Sequence, residues 1–124
     1  GGHIMAEIGS DVIRGYNDTM ILYLLWNNPS YGYEISKQIK SISNEKYMIK
    51  ETTRYSAFTR MEKNGFIESF AGTDDSGSKR RTYYRITDLG RDYYRTKCEE
   101  WSLTQEVVDN FIMKDLGGTN YGSN

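Results

Sequence analysis

Residues 51–65 read ETTRYSAFTRMEKNG, and residues 66–90 read FIESFAGTDDSGSKRRTYYRITDLG. The first run carries apolar residues at helical spacing and ends in Gly65, and a glycine commonly follows the last turn of a helix. In the second run, two stretches typical of strands flank a polar turn over residues 72–78. A helix followed by a β-hairpin with basic residues after the turn is the second half of a winged helix.

The helix is predicted over residues 51–64, with Ala57, Phe58 and Met61 facing a core. Its other side carries hydroxyl groups and cations, which are contributed by Thr52, Arg54, Ser56, Thr59, Arg60 and Lys63. The strands of the hairpin are predicted over 66–71 and 79–87. Side chains alternate along a strand, so Tyr83 and Tyr84 should point to opposite faces.

Upstream of this segment, Ser10 and Asp11 can cap a first helix that runs to about Trp26. The polar residues of that helix, including Asn17 and Asp18, are expected to lie outside its apolar stripe. Pro29 then breaks the chain.

A second helix is predicted over residues 32–42, with Ile35, Ile39 and Ile42 facing inward. Residues 47–49 are expected to form a short strand that completes the sheet.

A last helix should begin at Thr87, a good N-cap residue, and extend to about Leu116. Its apolar residues recur at alternating spacings of four and three, as in helices that pair with other helices: Tyr94, Cys98, Trp101, Gln105, Val108 and Ile112. A neighbouring stripe consists of Leu103, Val107 and Phe111. Because a small domain cannot cover both stripes, the pattern predicts a homodimer.

The sequence thus predicts an α+β fold, a winged helix-turn-helix over residues 10–87 with a long C-terminal dimerisation helix over 88–116. Residues 1–4 resemble a cloning remnant and residues 117–124 a flexible tail. With His3 in that remnant and Cys98 as the single cysteine, the sequence predicts no metal site, no cofactor and no enzymatic site. The lone cysteine also fits a reducing, cytoplasmic location.

The 124 residues carry a net charge of −1, but the cations are concentrated. Residues 46–65 contain five Lys or Arg against two acids, and residues 79–97 contain seven against two. Such a distribution favours phosphate contacts by one module of the protein. The alternative is a winged-helix module for protein–protein interaction that does not bind DNA.

The candidate DNA contacts lie on both helices and on the wing: Tyr31, Lys37, Thr53, Arg54, Tyr55, Ser56, Thr59, Lys63, Lys79, Arg80, Arg81 and Tyr83. Arg54 either pairs with a guanine or contacts phosphate only, and Tyr55 either faces the groove or lies partly in the core. Of Tyr83 and Tyr84, one is expected to be buried and the other to face DNA or the first helix.

Three motifs make the chain resemble the PadR family of winged-helix transcriptional regulators over about residues 12–112. They are YGYEI at residues 31–35, TRY at 53–55 with RMEKNGFI at 60–67, and KRRTYYRITDLG at 79–90. The family usually has Leu before the tyrosine of the recognition helix and often Pro after it, where Arg54 and Ser56 stand here. The resemblance implies a homodimeric regulator, a repressor by expectation, on a pseudo-palindromic DNA operator.

The single terminal helix looks like that of the branch that includes multidrug-sensing repressors, in which a tryptophan occupies the position of Trp101. The resemblance implies a site for a planar aromatic compound at the dimer interface, lined by Val12, Gly15, Thr19, Tyr23, Cys98, Trp101 and Gln105. The alternative is that Trp101 only packs at the dimer interface. Cys98 as a redox sensor is a weaker alternative, since Glu99 and Glu100 lie beside it.

Overall fold

The computed structural model describes residues 7–74 and 76–116, so the expected remnant and tail lie outside the described residues. The helices are α1 Ser10–Ile13, α2 Asn17–Leu24, α3 Gly32–Ile42, α4 Glu51–Lys63 and α5 Asp88–Asp109, with 3₁₀ turns at Arg14–Tyr16 and Lys114–Leu116. The strands are β1 Ser30–Tyr31, β2 Ile67–Thr73 and β3 Arg80–Ile86. Within the described residues, no helix is both long enough and apolar enough to span a membrane.

The N-terminal segment differs from the single capped helix that was expected. Gly9, not Ser10 or Asp11, is the N-cap residue, and as a glycine it has no side chain that could cap the helix. A 3₁₀ turn that contains Gly15 separates α1 from α2, at a position where glycine weakens an α-helix. The helix α2 then ends at Leu24, before Trp26.

The sheet is antiparallel with strand order β1-β3-β2. In the hairpin Ile67 pairs with Ile86, and β1 adds the pair of Tyr31 with Tyr83. The expectation of a strand at residues 47–49 is therefore wrong. Those residues serve the core instead, since Ile49 is buried and the Tyr47 hydroxyl donates a 2.6 Å hydrogen bond to Asn17 Oδ1.

The core lies between α2, α3, α4 and the sheet. Its buried apolar residues are Ile21, Leu22, Leu25, Ile35, Ile39, Ile49, Ala57, Phe58, Met61, Ile67 and Ile86. Ile42 continues the inward spacing of α3 but is 62 % exposed, because it is the last residue of that helix. The expectation that it faces inward is wrong.

The start of α5 is fixed by two residues. Thr87 Oγ1 accepts from Gly90 N at 3.0 Å, as expected for an N-cap, and donates to the Gly65 carbonyl at 2.6 Å. A Cβ at Gly90 would lie 2.0 Å from the Phe66 carbonyl oxygen, so only glycine lets the helix sit this close to the hairpin.

The helix α5 ends at Asp109 rather than near Leu116. The Asn110 side chain donates to the Glu106 carbonyl at 3.1 Å, and such local bonds end helices by competing with the backbone pattern. From Trp101 onward, the large apolar residues of α5 and of the segment that follows it are exposed in the single chain: Trp101, Leu103, Val107, Val108, Phe111, Ile112, Met113 and Leu116.

Candidate nucleic-acid interface

The helix α4 presents one exposed face, as the sequence predicted for a recognition helix. Tyr55, Ser56, Thr59 and Lys63 are exposed and Thr53 is half-buried. At the C-terminal end, Gly65 adopts φ +81° and Phe66 N donates to the Met61 carbonyl at 2.9 Å. These features terminate the helix with a glycine in the left-handed region.

Arg54 does not lie on that exposed face. Its side chain is only 9 % exposed, and its Nη1 donates to Ser36 Oγ on α3 at 2.7 Å. Its guanidinium carbon also lies 5.1 Å from the centroid of the Tyr55 ring. Position 54 precedes Ala57, Phe58 and Met61 by three, four and seven residues, so the helical repeat places it on the buried stripe. The expectation that Arg54 points outward with the other polar residues is wrong.

Further along α4, Arg60 is held by a buried carboxylate. Its Nη1 and Nη2 donate to the two carboxylate oxygens of Asp18 at 2.6 and 2.8 Å, and Asp18 is 5 % exposed. The hydrogen bond with Asp18 raises the pKa of Arg60. Asn17, the neighbour of Asp18, is also buried, so the expectation that both lie outside the apolar stripe of the first helix is wrong.

The same carboxylate reaches the long helix α5. The Tyr93 hydroxyl donates to Asp18 Oδ2 at 3.0 Å, and the Tyr93 ring stacks on Phe66 with centroids 4.1 Å apart. Burial, and then the neighbouring Asp18 carboxylate, raise the pKa of Tyr93. Asp18 thus joins the recognition helix to α5 through a single polar cluster.

The turn of the wing is organised by Asp74. Its Oδ1 accepts from Ser76 Oγ at 2.7 Å, from Ser78 N at 3.1 Å and from Lys79 N at 3.3 Å. These hydrogen bonds lower the pKa of Asp74, that from Ser76 most. Gly77 adopts φ +75°, which favours glycine.

Beyond the turn, Lys79 and Arg80 are exposed, and Arg81 lies over the Tyr31 ring at 4.2 Å. Tyr83 and Tyr84 point to opposite faces as predicted, but both are half-buried, so the expectation that one of them is buried is wrong. Tyr84 packs on core residue Phe58 at 4.4 Å between centroids.

The other tyrosine, Tyr83, packs against aromatic side chains on the two edge strands of the sheet. Its ring meets those of Tyr31 and Phe70 at 5.4 and 5.7 Å, and its hydroxyl donates to the Thr73 carbonyl at 3.0 Å. The Arg85 guanidinium lies over the Phe70 ring at 4.1 Å, so the face is layered with aromatic rings and cations.

The N-terminal ends of α3 and α4 meet the wing at a pocket of about 320 Å³ that is open to solvent. Among the predicted DNA contacts, this pocket is lined by Tyr31, Arg54, Tyr55, Lys79 and Arg81. The others lie outside this lining: Lys37, Thr53, Ser56, Thr59, Lys63, Arg80 and Tyr83. Gly32, which begins α3 at this pocket, was not among the predicted contacts.

A family model for PadR-like transcriptional regulators matches residues 21–96, which include the core helices, the wing and the start of α5. The chain belongs to the PadR-like family. It is 43 % identical over 105 residues to an uncharacterised protein of Lysinibacillus sphaericus, with 85 % of this chain and 95 % of that protein covered.

Solved structures agree with this family assignment. A transcriptional regulator from Clostridium thermocellum is 59 % identical with a TM-score of 0.77, and the match covers 84 % of this chain and all of that one. A PadR-family regulator from hypervirulent Clostridium difficile is 35 % identical with a TM-score of 0.67, covering 77 % and 97 %. A PadR-like regulator from Bacillus cereus is 27 % identical with a TM-score of 0.71, covering 82 % and 96 %.

In this PadR-family chain the predicted ligand residues lie along the seam between the first helical segment and α5. Trp101 is 45 % exposed and meets Tyr16 edge-on, with ring centroids 5.1 Å apart. Tyr16 was not among the predicted ligand residues, although it is on the same helical segment. Besides Trp101, the exposed residues of the predicted set are Val12, Gly15, Tyr23 and Gln105.

Two half-buried residues complete that set. Thr19 Oγ1 is buried without a hydrogen-bond partner in the described part of the chain. Cys98 is half-buried beside Tyr94, and burial, followed by a hydrogen bond with Cys98, raises the pKa of Tyr94 to about 12.

A second cavity of this PadR-family chain is lined in part by Tyr94. Its volume is about 850 Å³, and Trp26 lines it together with Tyr23, Tyr31 and Tyr83. Arg91 stacks over the Trp26 ring at 4.5 Å and its Nη2 donates to the Trp26 carbonyl at 3.0 Å. Trp101 does not line this cavity.

Proposed function

We propose that this PadR-family regulator is a homodimeric repressor that binds a pseudo-palindromic operator and releases it when a planar aromatic compound binds between the protomers. The DNA-binding part rests on one observation, the solvent-open pocket where α3, α4 and the wing bring Arg54, Lys79 and Arg81 together. Guanidinium and ammonium groups grouped in this way can bind the phosphate backbone, while exposed side chains of α4 would face the groove. We place the regulator in the cytoplasm with its DNA.

Salt dependence of binding to duplex DNA tests this part. The double variant Lys79→Ala/Arg81→Ala should weaken binding to all duplexes about equally and lower the slope of log K against log salt by about 1 for each phosphate that the variant no longer neutralises. Lys40→Ala/Lys46→Ala, which removes two exposed lysines near the end of α3, is the matched control. An unchanged slope in the wing variant would rule out backbone contacts there. Absence of DNA binding by the unmodified chain would favour the protein–protein module.

The dimer is supported by the apolar residues left exposed on α5, a patch of the kind that monomeric proteins rarely present. Two recognition helices related by a two-fold axis would lie about 34 Å apart, one turn of DNA. We expect sedimentation to give a dimer at micromolar concentration, and Val108→Asp to give a monomer. Ser102→Asp, on the same helix but outside both apolar stripes, should remain dimeric. A monomeric unmodified chain would contradict the proposal.

Ligand release is supported by the exposed Trp101 ring beside Tyr16. A second ring stacked on an indole contributes about 0.5–1.5 kcal/mol beyond area burial, which favours planar aromatic compounds. A ligand shifts DNA affinity only by its preference for one dimer arrangement. Addition of a planar dye should quench Trp101 and release DNA, and Trp101→Ala should abolish both effects without changing DNA affinity. Dissociation or unfolding of the alanine variant would assign Trp101 to packing alone.

A further inference from the structure

We propose that the N-terminal end of α3, together with Arg54 and Arg81, forms a seat for one phosphate group. In the DNA complex that group is a phosphodiester of the backbone, a statement that rests on the proposed function. The seat itself rests on the placement of the two arginines relative to the helix end.

The guanidinium of Arg54 lies across the first turn of α3. A Cβ at Gly32, the first residue of that helix, would lie 2.7 Å from Arg54 Nε and 2.9 Å from Cζ. The absence of a side chain at Gly32 is therefore what lets the guanidinium approach the helix end. The preceding residue, Tyr31, provides no side-chain cap for the helix.

This arrangement places like charges together. The first backbone N–H groups of a helix lack partners within the helix and carry a partial positive charge. A guanidinium at the same end repels that charge, whereas an anion between them would be attracted by both. A bound anion would therefore make this arrangement more favourable.

Part of the hydrogen-bonding capacity of the two arginines is also unused. Arg54 Nε and Arg81 Nε are both buried and have no hydrogen-bond partner among the described residues. Arg54 is 9 % exposed, and its Nη1 donates to a neutral hydroxyl, that of Ser36. Both arginines line the 320 Å³ pocket with Lys79, and none of the described residues that line this pocket is a carboxylate. Buried cations are ordinarily paired, so the missing partner is an anion.

The chemistry favours a phosphate over a carboxylate ligand. Two guanidinium groups and a helix end line the same pocket, and the several oxygens of a tetrahedral phosphate can accept from all of them. The open side of the pocket, next to the exposed ring of Tyr55, leaves room for the sugars on either side of a phosphodiester.

Arginine Nε–H signals in a ¹⁵N-correlated NMR spectrum give a direct test on the intact chain. The probes are inorganic phosphate and a mixed-sequence 20-base-pair duplex, each titrated with sodium chloride adjusted to constant ionic strength. We expect the duplex to shift the Arg54 and Arg81 Nε–H signals and the Gly32 amide signal, and inorganic phosphate to shift the same signals only at millimolar concentration.

Three variants make the test specific. Arg54→Met removes the charge with a side chain of similar reach, and Gly32→Ala keeps every charge but displaces the flexible guanidinium. Both should lower the slope of log K against log salt for duplex DNA by about 0.9, the value for one phosphate. Lys40→Met removes one exposed cation from the far end of α3 and should leave the slope unchanged. A thermal melt of each variant shows that it is folded.

The outcomes separate the seat from the proposed function. DNA binding with no shift at Arg54 overturns the seat and leaves the DNA-binding regulator standing. Phosphate shifts without any DNA binding support the seat and overturn the proposed function. Saturation by inorganic phosphate at micromolar concentration with no response to the duplex would identify free phosphate as the ligand and overturn the assignment to the DNA backbone. If neither probe moves these signals, the seat is overturned.

Discussion

The two arginines of the recognition helix have opposite environments. Arg60, toward the C-terminal end, donates to both oxygens of the buried Asp18. Arg54, nearer the N-terminal end, is buried beside a pocket whose described lining residues include no carboxylate. One end of the helix is thus fastened to α2 and α5 by satisfied charges, and the other end retains unsatisfied positive charge. The difference indicates that Arg60 stabilises the fold, whereas Arg54 is available to a ligand.

The largest change in the free energy of unfolding is expected at the C-terminal end of α4, where Arg60 binds Asp18. Arg60→Met should lower the free energy of unfolding by about 2–3 kcal/mol, because it leaves a buried carboxylate with too few donors. Chemical denaturation would measure it. The matched control is Arg95→Met, since Arg95 pairs with Asp92 at the surface and such pairs contribute less than about 1 kcal/mol. Equal losses in the two variants would remove the contrast between the two ends of α4.

A smaller loss in the free energy of unfolding is expected for a substitution of Tyr93, where the same polar cluster reaches α5. Tyr93→Phe keeps the ring on Phe66 but removes the hydrogen bond to Asp18, for a loss of about 1 kcal/mol. Since the pKa of Tyr93 is raised in the folded chain, its stabilising contribution is present below pH 10 and is lost as pH rises through the folded pKa. Denaturation across that range should show a steeper decline for the unmodified chain than for Tyr93→Phe. Parallel curves would show that Tyr93 does not titrate differently in the folded and unfolded chains.

At the N-terminal end of α4, a substitution of Arg54 is expected to change the free energy of unfolding in the opposite direction. Arg54→Met should leave the free energy of unfolding unchanged or raise it by about 1 kcal/mol, because an unpaired buried charge is replaced by an apolar side chain. The same denaturation experiment compares it with Arg60→Met. A loss of unfolding free energy as large as that of Arg60→Met would show that Arg54 stabilises the fold as Arg60 does, and would contradict the contrast between the two residues.

The smallest effect concerns anions in the absence of DNA. Phosphate present at its own dissociation constant should stabilise the unmodified chain by about 0.4 kcal/mol, following RT ln 2. Arg54→Met should lack this gain, while Arg60→Met should keep it. Thermal melts in phosphate and in chloride at equal ionic strength provide the measurement, and an equal response in both variants would contradict the placement of the site.

Much of this architecture is predictable from the sequence. The glycine after α4, the threonine before α5 and the alternation around Tyr83 and Tyr84 are local signals, and the structure places each of them as predicted. The short strand β1 is not predictable in this way, because a two-residue pairing has no periodicity. It forms where the chain enters α3, and its partner is distant in sequence.

The errors at Arg54 and Asp18 have a common cause. In both cases residue type was given more weight than spacing, although each residue continues an apolar stripe, one toward Met61 and the other toward Ile21. Charged residues are rarely buried unless they are paired, and the partner of Asp18 comes from a distant helix that the sequence does not place. A charged residue in register with a buried stripe is therefore a signal for a polar cluster or a ligand site.

The close packing of α5 on Phe66, which Gly90 allows, also sets the direction in which the helix runs. The helix that begins there has 22 residues and so extends for about 33 Å, with its free apolar residues near the far end. A side chain at position 90 that tilted the helix by about 10° would displace that far end by about 6 Å. In the proposed dimer, one methyl group added at position 90 would therefore change the separation of the two recognition helices. The spacing of the operator half-sites would then depend on a glycine that touches neither DNA nor the second protomer.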